Sequence, residues 1–141
     1  MDNPGAMQLT FEGTGAFSIG APGAMFGDWV TDLEGMLSTS VQFQFQYGGA
    51  GMTAIAYLQT SLDQGNTPID IAAVEFTTAN GVQAFNLSAL TPKTTPFTPQ
   101  QQALTPGTCV DGVLGDRLRV VVVVTGTYTS NTLINATAVV R

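Results

Sequence analysis

Histidine does not occur in this chain of 141 residues, cysteine occurs once, and lysine and arginine together number four. Without an imidazole, the side chain that trades protons near neutral pH is missing, and with it the His-dependent triads and most transition-metal sites. The lone Cys109 cannot close a disulfide within the chain, and its nearest basic neighbour in sequence is Arg117. A buried, inert thiol is expected. So few cations cannot neutralise a phosphate backbone, which argues against nucleic acid as a partner. No apolar run approaches the about 20 residues of a membrane span. The opening Met1-Asp-Asn-Pro-Gly has neither the basic start nor the apolar run of a secretory signal, so synthesis in the cytoplasm and no membrane partner are expected. Gly13-Thr-Gly-Ala-Phe-Ser lacks the third glycine of a dinucleotide fingerprint and no helix pattern follows it. Paired carboxylates could serve glycoside hydrolysis, but no pair can be placed across a cleft, and Trp29 stands alone where such sites carry several aromatics. The chain therefore reads as non-enzymatic, with no catalytic residue, cofactor or metal.

What remains is a lightly charged, apolar-patterned chain. Four basic and ten acidic residues give a net charge of −6, so the surface must be built largely from Thr, Gln, Asn and Ser. Such neutral-polar surfaces are common in proteins that assemble into arrays. The length suits one domain able to bury about two-thirds of its unfolded surface.

The densest apolar run lies in residues 116–141. Leu118, Val120, Val122 and Val124 occupy the even positions, while the odd ones pass from Arg117 and Arg119 to Val121 and Val123, which suits a strand wet on one face near its start and buried on both further along. Residues 125–131 can reverse the chain, and Ile134, Ala136, Ala138 and Val140 then alternate in register. The spacing predicts a closing hairpin central in one sheet.

Upstream, Val41, Phe43, Phe45 and Tyr47 alternate with Gln42, Gln44 and Gln46, a half-buried strand with a polar outer face. A glycine-rich turn leads to a strand over residues 52–60, and Ser61-Leu-Asp-Gln-Gly-Asn makes a turn because Asp bonds the following backbone and Gly and Asn accept positive φ. Strands at 69–76 and 82–87, with Asn80-Gly81 between them, complete an expected series of sequential hairpins. Residues 1–27 form a Gly-rich arm with edge strands near Met7 to Phe11 and Ala16 to Ile19. Trp29 is expected as a core or layer-edge anchor. Asp28, Asp32 and Glu34 lack the spacing and turn glycine of a calcium loop and read as solvated charges. Asn86-Leu-Ser and Asn135-Ala-Thr match a glycosylation pattern by chance, within strands. Pro92, Pro96, Pro99 and Pro106 exclude a central strand or helix from residues 91–108, leaving a long surface loop. About eight short strands, no helix and this punctuation predict an all-β, antiparallel β-sandwich of jelly-roll type, with residues 28–141 as its single domain.

The run Leu58-Gln-Thr-Ser-Leu-Asp-Gln-Gly-Asn-Thr-Pro-Ile-Asp-Ile71 resembles a stretch found in small structural proteins of tailed phages and prophages, where Leu-Gln-Thr-Ser-x-Asp-Gly-Gly-x-Thr-Trp crosses between strands. Phe85-Asn-Leu-Ser-Ala-Leu-Thr-Pro92 and Asp111-Gly-Val-Leu-Gly-Asp-Arg-Leu-Arg-Val120 are similar to the same group, so the likeness covers roughly residues 40–141. Gln64 replaces a glycine and Pro68 replaces the tryptophan. The resemblance implies a virion protein made in the host bacterial cytoplasm. Its expected role is a head decoration or cement protein contacting the major capsid protein, and homo-oligomeric within the particle. A neck or tail subunit is the alternative, and a carbohydrate-binding module is an alternative of another class. The expected assembly contacts are Phe11 and Phe17 in the arm and Pro92, Thr94, Pro96, Phe97, Pro99 and Gln100 in the loop.

Overall fold

The computed structural model describes residues 5–9 and 16–141, and these carry eleven strands and no helix. The strands are β1 (Gly5–Gln8), β2 (Ala16–Ile19), β3 (Gly23–Phe26), β4 (Ser38–Gln46), β5 (Gly49–Ala50), β6 (Thr53–Ser61), β7 (Pro68–Phe76), β8 (Gly81–Ser88), β9 (Leu118–Thr125), β10 (Tyr128–Thr129) and β11 (Thr132–Val140). All pair antiparallel. In a five-stranded sheet β4 lies between β8 and β11, while β1 and β2 run end to end along the other edge of β11. A four-stranded sheet has the order β3-β9-β6-β7, and β5 with β10 forms a small separate ribbon.

Alternation decides which face of each sheet is dry. Phe17, Val41, Phe43, Phe45, Ile134, Ala136 and Ala138 from one layer meet Ala54, Ala56, Leu58, Ile71, Leu118, Val120 and Val122 from the other in one buried core. Each large apolar side chain so enclosed contributes on the order of 2 kcal/mol of transfer free energy. Phe45 stacks on Phe76 of the opposite layer with ring centroids 5.0 Å apart, and the edge of Tyr128 meets the same phenylalanine at 5.8 Å. The Tyr128 hydroxyl donates to the Thr77 carbonyl at 2.7 Å, which fastens the β5–β10 ribbon to the end of β7. The chain is thus an antiparallel β-sandwich, as its patterning predicts.

Connectivity departs from the expectation. The valine-rich strand β9 and the closing strand β11 are not partners: β9 lies between β3 and β6, and β11 lies in the other sheet beside β4. Residues 126–131 carry the chain from one layer to the other. The connections from β4 to β6 and from β7 to β8 cross between layers as well, so β6–β7 is the one adjacent pair of long strands that closes as a hairpin. Facing strands of a sandwich present the same alternation to a shared core, so periodicity marks the dry face of a strand without marking its neighbour.

Two further features bear on function. The edge strands expected in residues 1–27 are present, and β1 and β2 both pair with β11 of the same chain, so the described part of this segment is not a free arm. Residue 71 is a bulge, where the β6–β7 register shifts between Leu58 and Gln59, so Ile71 and Ala72 both face the core while Asp70 and Ala73 face outward.

Candidate functional site

Among the described residues, the outward face of the five-stranded sheet carries no charge. On β4 it presents Ser40, Gln42, Gln44 and Gln46, flanked in register by Thr137, Asn135 and Leu133 of β11 and by Ala84 and Val82 of β8. Alternation puts the three glutamines here, because their odd-numbered neighbours fill the core. Their amides make no side-chain hydrogen bond among the described residues. The face is shallowly furrowed. One groove of about 430 Å³ runs between Gln44, Gln46, Asn80 and Val82, and a second of about 290 Å³ is bounded by Ser40, Gln42, Ala84, Thr137 and Val139. A primary amide is donor and acceptor at once, so this face can pair with polar groups of either kind without supplying charge.

The opposite layer is covered differently. Residues 100–110 run along the free edge of β7: Asp70 N–H donates to the Gln100 carbonyl at 2.8 Å, Gly107 N–H to Ala73 at 2.8 Å, and Val110 N–H to Ile71 at 2.8 Å. The bulge aims the Asp70 carboxylate outward beneath this segment, where it accepts from the Ala103 and Leu104 amides at 2.9 and 3.2 Å. Its other oxygen accepts from Gln59 Nε2 at 2.8 Å. Leu104 packs on Tyr57, Ala73 and Val121, a second, smaller apolar cluster. The Pro-rich segment is therefore a docked cover over part of its length, and residues 91–99, all exposed, are the part not held to β7.

Beside this cover lies a polar and aromatic group. Arg119 Nε donates to Gln59 Oε1 at 2.8 Å. Its guanidinium carbon sits 4.6 Å from the centre of the Trp29 ring and 5.3 Å from that of Phe26. Trp29 is half-buried on this outer face and is not part of the core. Next to it, residues 61–67 form the turn the sequence predicts: Asp63 Oδ1 accepts from Thr67 N–H at 2.7 Å and Ser61 Oγ at 2.8 Å, while Ser61 Oγ accepts from Gly65 N–H at 2.8 Å. Gln64 and Gly65 take positive φ, and a Cβ at Gly65 would stand 3.2 Å from the Trp29 Nε1. These bonds hold the Asp63 carboxyl below the usual carboxylate range, chiefly through Thr67. Arg117 pairs with Asp116 at 2.9 and 3.2 Å and donates to the Gln64 carbonyl.

The expected contact residues divide. Phe17 is fully buried in the core, which corrects its assignment as an assembly contact: pairing of β2 with β11 turns the ring inward opposite Ile134. Phe11 lies outside the described residues. Pro92, Thr94, Pro96, Phe97, Pro99 and Gln100 are exposed, with Lys93 over the Phe97 ring at 5.8 Å. Only Gln100 among them is held by its main chain to β7. Cys109 is exposed rather than buried, because residues 105–109 lie outside the sheet edge they bridge. Partial desolvation and Asp111 nevertheless push its thiol up, so it stays protonated near neutrality. No three metal-ligating side chains converge among the described residues. The Arg119–Gln59–Asp70 chain was not foreseen; its signal in the sequence is a Gln and an Asp inside two otherwise buried strands. No protein-family model and no curated protein matches the chain.

Proposed function

We propose that this chain is a non-enzymatic structural subunit of a tailed-phage virion, attached to the capsid as a head decoration or cement protein. The observation that carries the reading is the outer face of the five-stranded sheet, which among the described residues holds no charged side chain. Copies of a chain with net charge −6 repel one another wherever carboxylates meet, and a neutral amide face lets a neighbour approach without that penalty. The resemblance of residues 40–141 to small phage structural proteins supports the same reading. The exposed residues 91–99 offer a second place of contact.

The mass of the purified protein, measured alone and mixed with empty capsids of the source phage, tests the assignment. Stable capsid binding by a monomer or small symmetric oligomer is expected. Gln44→Lys, which puts a charge at the centre of the neutral face, should weaken it while leaving the β circular dichroism unchanged. Rings or tubes without capsid affinity would move the protein to the neck or tail, and neither behaviour would overturn a virion role.

A further inference from the structure

We propose that Arg119, framed by Trp29 and Phe26, is a receiving site for a monoanionic carboxylate group. This inference does not rest on the virion assignment. The two arginines of β9 and its approach are treated in opposite ways. Arg117 lies against Asp116, two guanidinium nitrogens meeting two carboxylate oxygens. Arg119 has no carboxylate within reach among the described residues, although the sequence holds ten. Its Nη nitrogens donate to nothing among the described residues. Half-burial lowers its pKa with no opposing charge to raise it. A partly desolvated cation without a counter-ion is a cost that an incoming anion removes.

The guanidinium is also held in place. Gln59, wholly buried, accepts the Nε–H hydrogen bond through its Oε1, and Gln59 is itself fixed by Asp70, whose oxygens accept from Gln59, Ala103 and Leu104. Asp70 therefore orients the amide that orients Arg119, and Gln59 stands between the Asp70 carboxylate and the guanidinium. The planar Nη pair is left to match the two oxygens of a carboxylate. A monoanion is favoured over a phosphate dianion because the protein's own field is negative. Phe26 is 49% exposed, and its ring offers an apolar face for the body of the molecule that bears the carboxylate.

Trp29 is the only tryptophan, so its emission reports on this site directly. The intact chain would be titrated with glucuronate, with glucose, and with a short acetylated peptide ending in a free carboxylate, alongside the same peptide amidated. A saturable change with an acid and none with its neutral counterpart is expected. Response to glucuronate identifies a sugar-acid source, and response to the peptide acid alone identifies a protein chain end. Arg119→Gln should abolish the response, and Arg119→Lys should weaken it at least about tenfold because an ammonium cannot meet both oxygens. Phe26→Ala, at an exposed ring, should weaken it severalfold with the fold intact by circular dichroism. Equal responses to acid and neutral probes, no response to either acid, or a wild-type response from folded Arg119→Gln would overturn the proposal.

Discussion

Gln59 and Asp70 face each other across the β6–β7 ladder, the Gln59 Nε2 donating to Asp70 Oδ1 at 2.8 Å, and both side chains are withdrawn from solvent. The carboxylate is the common acceptor for a strand and for the loop that covers it. Asp70→Ala leaves the Gln59 amide and two backbone N–H groups unsatisfied and should cost about 3 kcal/mol. A lowered urea midpoint, with faster hydrogen exchange at Ala103 and Leu104, is the expected result. Unchanged exchange there would mean that the loop is held by its β7 contacts alone.

The loop itself should divide in two. Deleting residues 94–98, which are exposed, is expected to change the urea midpoint by less than about 0.5 kcal/mol equivalent. Deleting residues 101–104 removes both amides that Asp70 accepts and should destabilise as much as Asp70→Ala. The two deletions, compared by chemical denaturation, distinguish a spacer from a cover.

Thr39 Oγ1 is buried with no hydrogen-bond partner among the described residues. Thr39→Val keeps the shape and removes a stranded hydroxyl, so it should stabilise by about 1 kcal/mol and raise Tm by about 4 °C. A fall in Tm would place a bound water on that hydroxyl.

Val122 is wholly enclosed at the centre of β9. Val122→Asp puts an unpaired carboxylate in the core and should exceed about 4 kcal/mol, enough to prevent folding. A soluble variant with unchanged β circular dichroism would contradict the packing.

Acid should loosen the protein in a defined direction. Asp63, Asp111 and Asp116 all titrate below the usual range, held down chiefly by hydrogen bonds from Thr67, Ser88 and Arg117 respectively. As pH falls the unfolded chain takes up these protons first. The stability they contribute is therefore complete above the ordinary Asp pKa of about 3.9 and is lost as pH drops through the lowered folded values. Urea midpoints taken from neutrality to about pH 2 should fall in that window, and Asp63→Asn should make the fall shallower.

Much of the architecture was legible because a side chain's burial is written in the period of its strand. Phe43 and Gln44 announce their opposite faces, and Leu118 to Val124 announce a strand central in its sheet. The turn at residues 61–67 was legible because Ser61, Asp63 and Gly65 act within one loop. Partners far apart were not. Nothing local says that β11 lies beside β4 while β9 lies beside β6, and nothing in the proline spacing says that residues 100–110 return to β7. The Arg119 group escaped for the same reason: Trp29, Gln59, Asp70 and Arg119 are brought together only by the four-stranded sheet and the bulge at Ile71. Phe17 was misplaced because an aromatic in a glycine-rich segment reads as exposed unless its pairing with β11 is known.

The position of β11 has a consequence for biosynthesis. It separates β4 from β1 and β2, so the five-stranded layer has no centre until residue 140 has been made. On the ribosome, β4 and β8 could pair early, but β1 and β2 must wait for β11, which lies far downstream of them. The glutamine face and the core behind it therefore form after synthesis of this segment, in one late and topologically slow step. During that interval the open edge of β4 is a template for other chains, and crowded expression should favour aggregates over slow, dilute refolding.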